Sequence, residues 1–272
     1  MAAPGGGVHP GSRSLGSAGS PRSALLKRSR RRHTPGRGED GLDNEKIRVR
    51  LFVSGAGDFA AQSELVKPYL ADIWPHYKAK QNGLSDNPAE ADRCPFLVCE
   101  DFGTSGLCGD PLQWHKKEGV KNGFFTFFRA EGQSDKEQGD RGRWGVGKFV
   151  FPRSSRVSTF WGVTVCHDDH RRLMMGRAIL KSHAIEYQRV VPDGYFGEPR
   201  ELANGELIVA PVTNPATLDK FCCDFGLARQ NRPGLSMVVP WYDPEITHNS
   251  LLLAVIEDYC FPILSGVRSA VG

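Results

Sequence analysis

Apolar and polar positions alternate most cleanly in Lys46–Ser54, K-I-R-V-R-L-F-V-S. Ile47, Val49, Leu51 and Val53 fall on one side of an extended chain there, with Arg48, Arg50 and Phe52 on the other. This pattern predicts a half-buried strand, ended by Gly55-Ala56-Gly57. From Phe59 to Lys80 the period changes. Phe59, Leu65, Val66, Tyr69, Leu70, Ile73, Trp74 and Tyr77 recur near helical spacing, with Pro68 kinking or splitting the helix. Gln81–Arg93 is polar and punctuated by Asn82-Gly83 and Asn87-Pro88, which predicts a loop. The short apolar run Phe96–Cys99 predicts a buried strand. In Cys108–Gly139, Trp114, Phe124, Phe125, Phe127 and Phe128 mark packing in a helix or two, followed by a polar loop at Glu131–Asp140.

The second half reads as more sheet. Arg156–Val165 predicts a strand through Val157, Phe160, Trp161, Val163 and Val165, and Leu173–Lys181 its return. Between them, His167-Asp168-Asp169-His170 invites a metal reading. Consecutive residues converge poorly on one ion, so a charged hairpin turn is the expectation. Glu206–Val212 predicts a strand, and Asn214–Phe225 a helix capped by Asn214 or Thr217. Gly234–Trp241 predicts another strand, and Pro244–Tyr259 a long helix. An apolar stretch from Phe261 follows, as if the start of a further domain had been cut short.

Composition narrows the possibilities. The chain has 272 residues, 39% of them hydrophobic, with 15 Phe and 5 Trp to fill a core. Its net charge of +4 is uneven: residues 1–44 carry eight Lys/Arg against three Asp/Glu, a surplus of +5 that leaves the remainder at −1. A near-neutral folded part gives no broad electrostatic footing for nucleic acid, though the basic run Lys27-Arg28-Ser29-Arg30-Arg31-Arg32 could bind it. Rich in Gly, Ser and Pro, residues 1–44 cannot bury enough apolar surface to offset their ordering entropy and read as a disordered basic tail. Seven cysteines without a C-x-x-C spacing argue against a zinc site or disulfide framework and for reduced thiols in the cytoplasm. No apolar run reaches the roughly 18 residues of a membrane span, and the N-terminus has no signal-peptide core.

Two glycine-rich stretches carry the candidate chemistry. Pro95–Leu107, P-F-L-V-C-E-D-F-G-T-S-G-L, delivers Glu100 and Asp101 at a strand end and then Gly103 and Gly106 in a turn. A carboxylate placed there can accept a hydrogen bond from an exocyclic amine such as that of adenine. Asp140–Pro152, D-R-G-R-W-G-V-G-K-F-V-F-P, sets Gly142, Gly145, Val146 and Gly147 before Lys148. Glycines let backbone N–H groups approach an anion closely, and the lysine adds a mobile cation. Asp224-Phe225-Gly226 mimics the magnesium-binding triplet of protein kinases, but the strand lysine and catalytic loop of a kinase are missing, so a helix end with a glycine cap is expected.

An apolar strand, D-x-G-x-x-G, a linker and then G-x-x-G-x-G resembles the paired glycine boxes of the gyrase, heat-shock chaperone, histidine kinase and MutL (GHKL) ATPases, over roughly Lys46 to Tyr242. The resemblance implies an α+β two-layer sandwich of the Bergerat type: a mixed, mainly antiparallel sheet with helices on one face. Residues 1–44 are then a tail, 45–242 the ATP-binding domain, and 243–272 a helix leading into a truncated domain. Asp101 would bind the adenine amine, with Gly103 and Gly106 shaping the base pocket. Gly142, Gly145, Val146, Gly147 and Lys148 would hold the phosphates, and Ser236 would back up Asp101 as a late-strand hydroxyl does in the family. The interval between the boxes would be a lid over the nucleotide. Mg2+ would accompany the triphosphate, and a downstream domain or client protein would receive the conformational signal.

The family also carries a general-base Glu and a magnesium-binding Asn one turn apart on a helix, expected before Lys46. Asp40 and Asn44 have the spacing, but Gly41 and the lack of apolar positions argue against a helix; Glu118 and Asn122 are interrupted by Gly119. Neither a catalytic residue nor a metal ligand is identified, and weak ATP binding with little or no hydrolysis is expected. The alternatives are a non-catalytic interaction module that keeps the fold, and a nucleic-acid binder working through the tail.

Overall fold

The computed structural model describes residues 47–54, 63–130 and 149–264. The tail at 1–44 and the whole phosphate-loop set, Gly142, Gly145, Val146, Gly147 and Lys148, lie outside the described residues. In chain order the elements are β1 (Arg48–Val53), α1 (Ser63–Leu70), α2 (Trp74–Lys78), β2 (Phe96–Phe102), α3 (Gly123–Phe128), α4 (Val150–Arg153), β3 (Thr159–Val165) and β4 (Arg172–Ile179). There follow β5 (His183–Ile185), β6 (Gln188–Val190), β7 (Asp193–Phe196), β8 (Glu198–Glu201), β9 (Leu207–Ala210), α5 (Pro215–Asp224), β10 (Gly234–Pro240) and α6 (His248–Leu264).

Six of the strands form one sheet in the order β1-β2-β10-β3-β4-β7, and every pairing in it is antiparallel. The α+β class with a mainly antiparallel sheet is therefore as expected. β5–β6 and β8–β9 are separate two-stranded ribbons. β9 falls within the strand expected at Glu206–Val212, whereas β5, β6 and β8 are half-buried to exposed except His183, so their apolar period is too weak to read.

The expectation of helices on one face needs correcting: both faces of the sheet are covered. Alternate residues of the central strands point to opposite sides. Phe96, Val98, Trp161, Val163, Met174, Ala178 and Val238 pack with Val66 and Leu70 of α1, Trp74 and Tyr77 of α2, and Leu218 and Phe221 of α5. Leu97, Phe160, Leu173, Met175, Leu235, Met237 and Val239 pack instead with Phe124, Phe127 and Phe128 of α3, Val150 and Phe151 of α4, and Leu251 of α6. The physical reason is in the strands themselves. β3 (TFWGVTV) and β10 (GLSMVVP) are buried at every position, the signature of a strand with two dry faces.

Other local expectations hold. The predicted first helix is divided, with Pro68 inside α1 and a break after Leu70 before α2 resumes with Pro75 in its first turn. The predicted charged turn joins β3 to β4, closed by Cys166 N–H to Arg171 O at 3.1 Å and His170 N–H to Cys166 O at 3.0 Å. Asn214 caps α5, its Oδ1 accepting from Thr217 N at 3.1 Å. Gly226, at φ 58°, follows the end of that helix as a glycine cap should. Among the described residues no helix is long and apolar enough to cross a membrane.

The cysteines depart from expectation. Cys108 and Cys166 form a disulfide, 58 residues apart in sequence. Spacing could not reveal the pair, because topology makes it: the loop after β2 docks on the end of β3. Cys94 and Cys222 are buried thiols, and burial pushes the Cys94 thiol up to about 12.

Candidate functional site

β2 is longer than its apolar run suggests and carries Glu100 and Asp101 inside the sheet. Strand alternation sends the two carboxylates to opposite faces. Glu100 shares the side of Phe96 and Val98, beneath α1 and α5; Asp101 shares the side of Leu97 and Cys99, where α3 and α4 lie.

Glu100 is fully buried. Its Oε2 accepts from Arg50 Nη1 at 2.6 Å and from Ala228 N at 3.0 Å, and its Oε1 accepts from Ser236 Oγ at 2.7 Å. The Ser236 hydroxyl in turn accepts from Arg229 Nε at 2.7 Å. Arg229 is also buried; it donates to Arg232 O at 2.8 Å and to Asp101 O. Phe102 lies between two guanidinium groups, with Arg48 at 4.5 Å and Arg229 at 4.7 Å from its ring centroid. Glu100 is thus neither a solvated strand end nor a ligand group. It ties β1, β2, β10 and the 226–229 loop together, as a buried charge must be tied to persist.

Ser236 belongs to this network and does not back up Asp101, which corrects its expected role. The register explains why: Ser236 stands opposite Glu100 across β10–β2, and Leu235 opposite Asp101. Asp101 Oδ1 instead accepts from Leu235 N at 2.9 Å and from Thr104 Oγ1 at 2.6 Å. Sequence reading missed Arg50, Arg229 and Thr104. Arg50 stands opposite Glu100 in the β1–β2 register, a pairing that only the folded sheet brings about.

The turn after Asp101 is built on glycine. Gly103 and Gly106 have φ of 75° and 68°, the left-handed region that side chains disfavour. A Cβ on Gly106 would stand 2.2 Å from Val165 O and 3.0 Å from Gly234 O. Gly234 has the same need on the other side, since its Cβ would be 2.2 Å from Asp101 O and 2.9 Å from Asp101 Oδ1. Thr164 secures the arrangement, accepting from Leu107 N at 2.8 Å and donating to Gly234 O at 2.9 Å. Three of the predicted residues, Asp101, Gly103 and Gly106, therefore come together with Thr104 and Gly234 at one end of the sheet.

Beyond the turn, Asn122 does not stand on a helix with Glu118. It is the buried N-cap of α3, accepting from Phe125 N at 2.9 Å and donating to Asp110 O at 2.8 Å. Arg129 closes the same corner, donating to Pro111 O at 2.8 Å and Val209 O at 2.8 Å and stacking on Trp114 at 4.8 Å. Burial holds its guanidinium down to about 10.

A cavity of about 330 Å³ opens between Asp110, Leu112, Arg171, Arg200 and Thr213, with Leu173 in its wall. It is not the Asp101 site. Asp101, Leu235, Thr164 and Leu173 stand in register on successive strands. Three inter-strand spacings put Leu173 about 14 Å from Asp101. The chain matches no protein-family model and no curated protein.

Proposed function

We propose that residues 45–242 are an ATP-binding module of the GHKL type, in which nucleotide switches the conformation of a downstream domain or client. The observation that carries this reading is placement. Asp101 and α4, which directly follows the second glycine box, lie on the same face of one sheet. α4 lies against β3, with Phe151 6.0 Å from Phe160 between ring centroids. Phe160 is level with Leu97 two strands away, and Leu97 is four residues before Asp101 on β2, which puts Phe160 about 17 Å from Asp101 across the sheet. That separation suits an extended nucleoside triphosphate with its base at one glycine box and its phosphates at the other.

In this reading the Asp101 carboxylate accepts from the adenine amine, and Gly103 and Gly106 floor the base pocket. Gly142, Gly145, Val146, Gly147 and Lys148 surround the phosphates, with Mg2+ bridging them. An ATP-driven module works where ATP is abundant, which points to the cytoplasm. The Bergerat arrangement draws on the antiparallel sheet and the order of the two boxes; the helices on its second face are an addition to it. A second reading, an interaction module that keeps the fold without nucleotide, draws on the two hydrogen bonds that Asp101 Oδ1 already accepts.

The test is a titration of Lys148→Ala with ATP and with adenosine. Loss of affinity for ATP alone supports the phosphate role. Equal loss for both ligands makes the lysine structural, and no binding of either ligand by the unaltered chain favours the second reading.

A further inference from the structure

We propose that Cys108, Cys166 and Asp168 form a zinc site that opens when their disulfide is reduced. This inference is independent of the nucleotide reading. The two sulfurs and a carboxylate oxygen of Asp168 all lie within 4.8 Å of one another. They come from two separately anchored segments: Cys108 from the loop after the first glycine box, Cys166 and Asp168 from the β3–β4 turn. His167 N–H donates to Ser105 O at 3.0 Å, and Leu107 N–H to Thr164 Oγ1 at 2.8 Å, so the segments stay together without the covalent link. The Cα atoms of the two cysteines are 5.0 Å apart. Zn–S bonds of about 2.3 Å at a tetrahedral angle place two sulfurs about 3.8 Å from each other. Rotation of the cysteine side chains supplies that spacing with the backbone in place.

The turn holds two aspartates with different work. Asp169 is engaged by Arg171, whose Nε meets its Oδ2 and whose N–H donates to its Oδ1 at 3.0 Å. Asp168 is 74% exposed, its Oδ1 3.6 Å from His167 Nδ1 at the surface of the turn, and it carries the oxygen that approaches the sulfurs. Two thiolates and one carboxylate, with water in the fourth position, form a donor set that takes Zn2+ in preference to the hard cations Mg2+ or Ca2+.

The chemistry balances with a thiol reductant of the kind that keeps cytosolic cysteines reduced. The S–S bond takes two electrons and two protons from two small thiols, which leave joined as their own disulfide. Zn2+ then displaces the two protons from Cys108 and Cys166 and forms two Zn–S bonds.

The experiment uses the full 272-residue chain. Oxidised protein and protein reduced with a phosphine, which brings no competing thiol, are titrated with Co2+ and Zn2+. The reduced chain is expected to take one equivalent of Co2+ with a thiolate-to-metal charge-transfer band that Zn2+ bleaches, and the oxidised chain none. Cys166→Ser should abolish the band, and exposed Asp168→Asn should weaken Zn2+ at least about tenfold while leaving the fold alone. Asp169→Asn should keep it, as should Cys223→Ser at an exposed free thiol of α5. A reduced chain without the band, or a band that survives Cys108→Ser with Cys166→Ser, overturns the proposal. So does unchanged affinity in Asp168→Asn.

Discussion

Glu100→Ala should destabilise the domain by about 3 kcal/mol. The side chain is fully buried and accepts three hydrogen bonds, from Arg50, Ser236 and Ala228 N. Each bond to a charged acceptor is worth about 1.5–3 kcal/mol singly, but the three share one carboxylate and do not add. Removing one partner of a buried ion pair costs about 3–5 kcal/mol, mostly because the other charge is left behind. Arg50 is 32% exposed and can turn to water, which favours the lower end of that range. The buried Ser236 hydroxyl loses its acceptor with no such escape. At about 2–4 °C per kcal/mol for a domain of this size, the melting temperature should fall by roughly 6–12 °C. Urea unfolding followed by tryptophan emission reads the effect, since Trp74, Trp161 and Trp241 are all buried in the core beneath α1, α2 and α5. A loss below about 1 kcal/mol would show that Glu100 is not the tie between β1, β2 and β10, and the network assigned to it would fall.

Gly106→Ala and Gly119→Ala form a matched pair, because both glycines have similar φ, 68° and 71°, while a Cβ on Gly119 meets nothing within 4 Å. Gly119→Ala should show only the left-handed backbone cost of about 1–2 kcal/mol; Gly106→Ala should lose more in urea unfolding and should also weaken nucleotide binding. His76 Nδ1 lies 3.0 Å from His183 Nε2, and burial followed by His183 lowers its pKa. A depressed histidine is neutral in the fold and more protonated when unfolded, so its contribution is intact above about pH 6.5. Stability should decline as pH falls below that value, and thermal melts between about pH 7 and 5 should show a shallower decline in His76→Gln.

Much of the sheet was legible because its strands alternate or run continuously apolar. β1, β3 and β10 were predicted within a few residues, and the β3–β4 turn was placed correctly despite its metal-like composition. The second helical face was missed because helices on one face were taken from the resemblance, while β3 and β10, apolar at both parities, held the contrary signal. Carboxylate roles were harder. Glu100 and Asp101 are adjacent and chemically alike, and only the register of β1 and β10 shows that one is enclosed by Arg50 and Ser236 while the other stands above the glycine turn. Ser236 was misassigned for the same reason, by one residue of register. The Cys108–Cys166 pairing depends on a loop docking on a distant strand end, which no local pattern encodes.

The central claim is that Asp101 reads adenine, and Asp101→Asn tests it most directly. An asparagine oxygen can still accept from Leu235 N and Thr104 Oγ1, so the turn should persist and the urea midpoint should move little. The charged acceptor is lost, and a bond of about 1.5–3 kcal/mol corresponds to a roughly 10- to 150-fold fall in affinity. Titrating both proteins with a fluorescent ATP analogue, with GTP as competitor, should show that fall, together with poor competition by GTP at the unaltered site. Equal affinity of the folded Asp101→Asn chain and the original for the analogue would contradict the account.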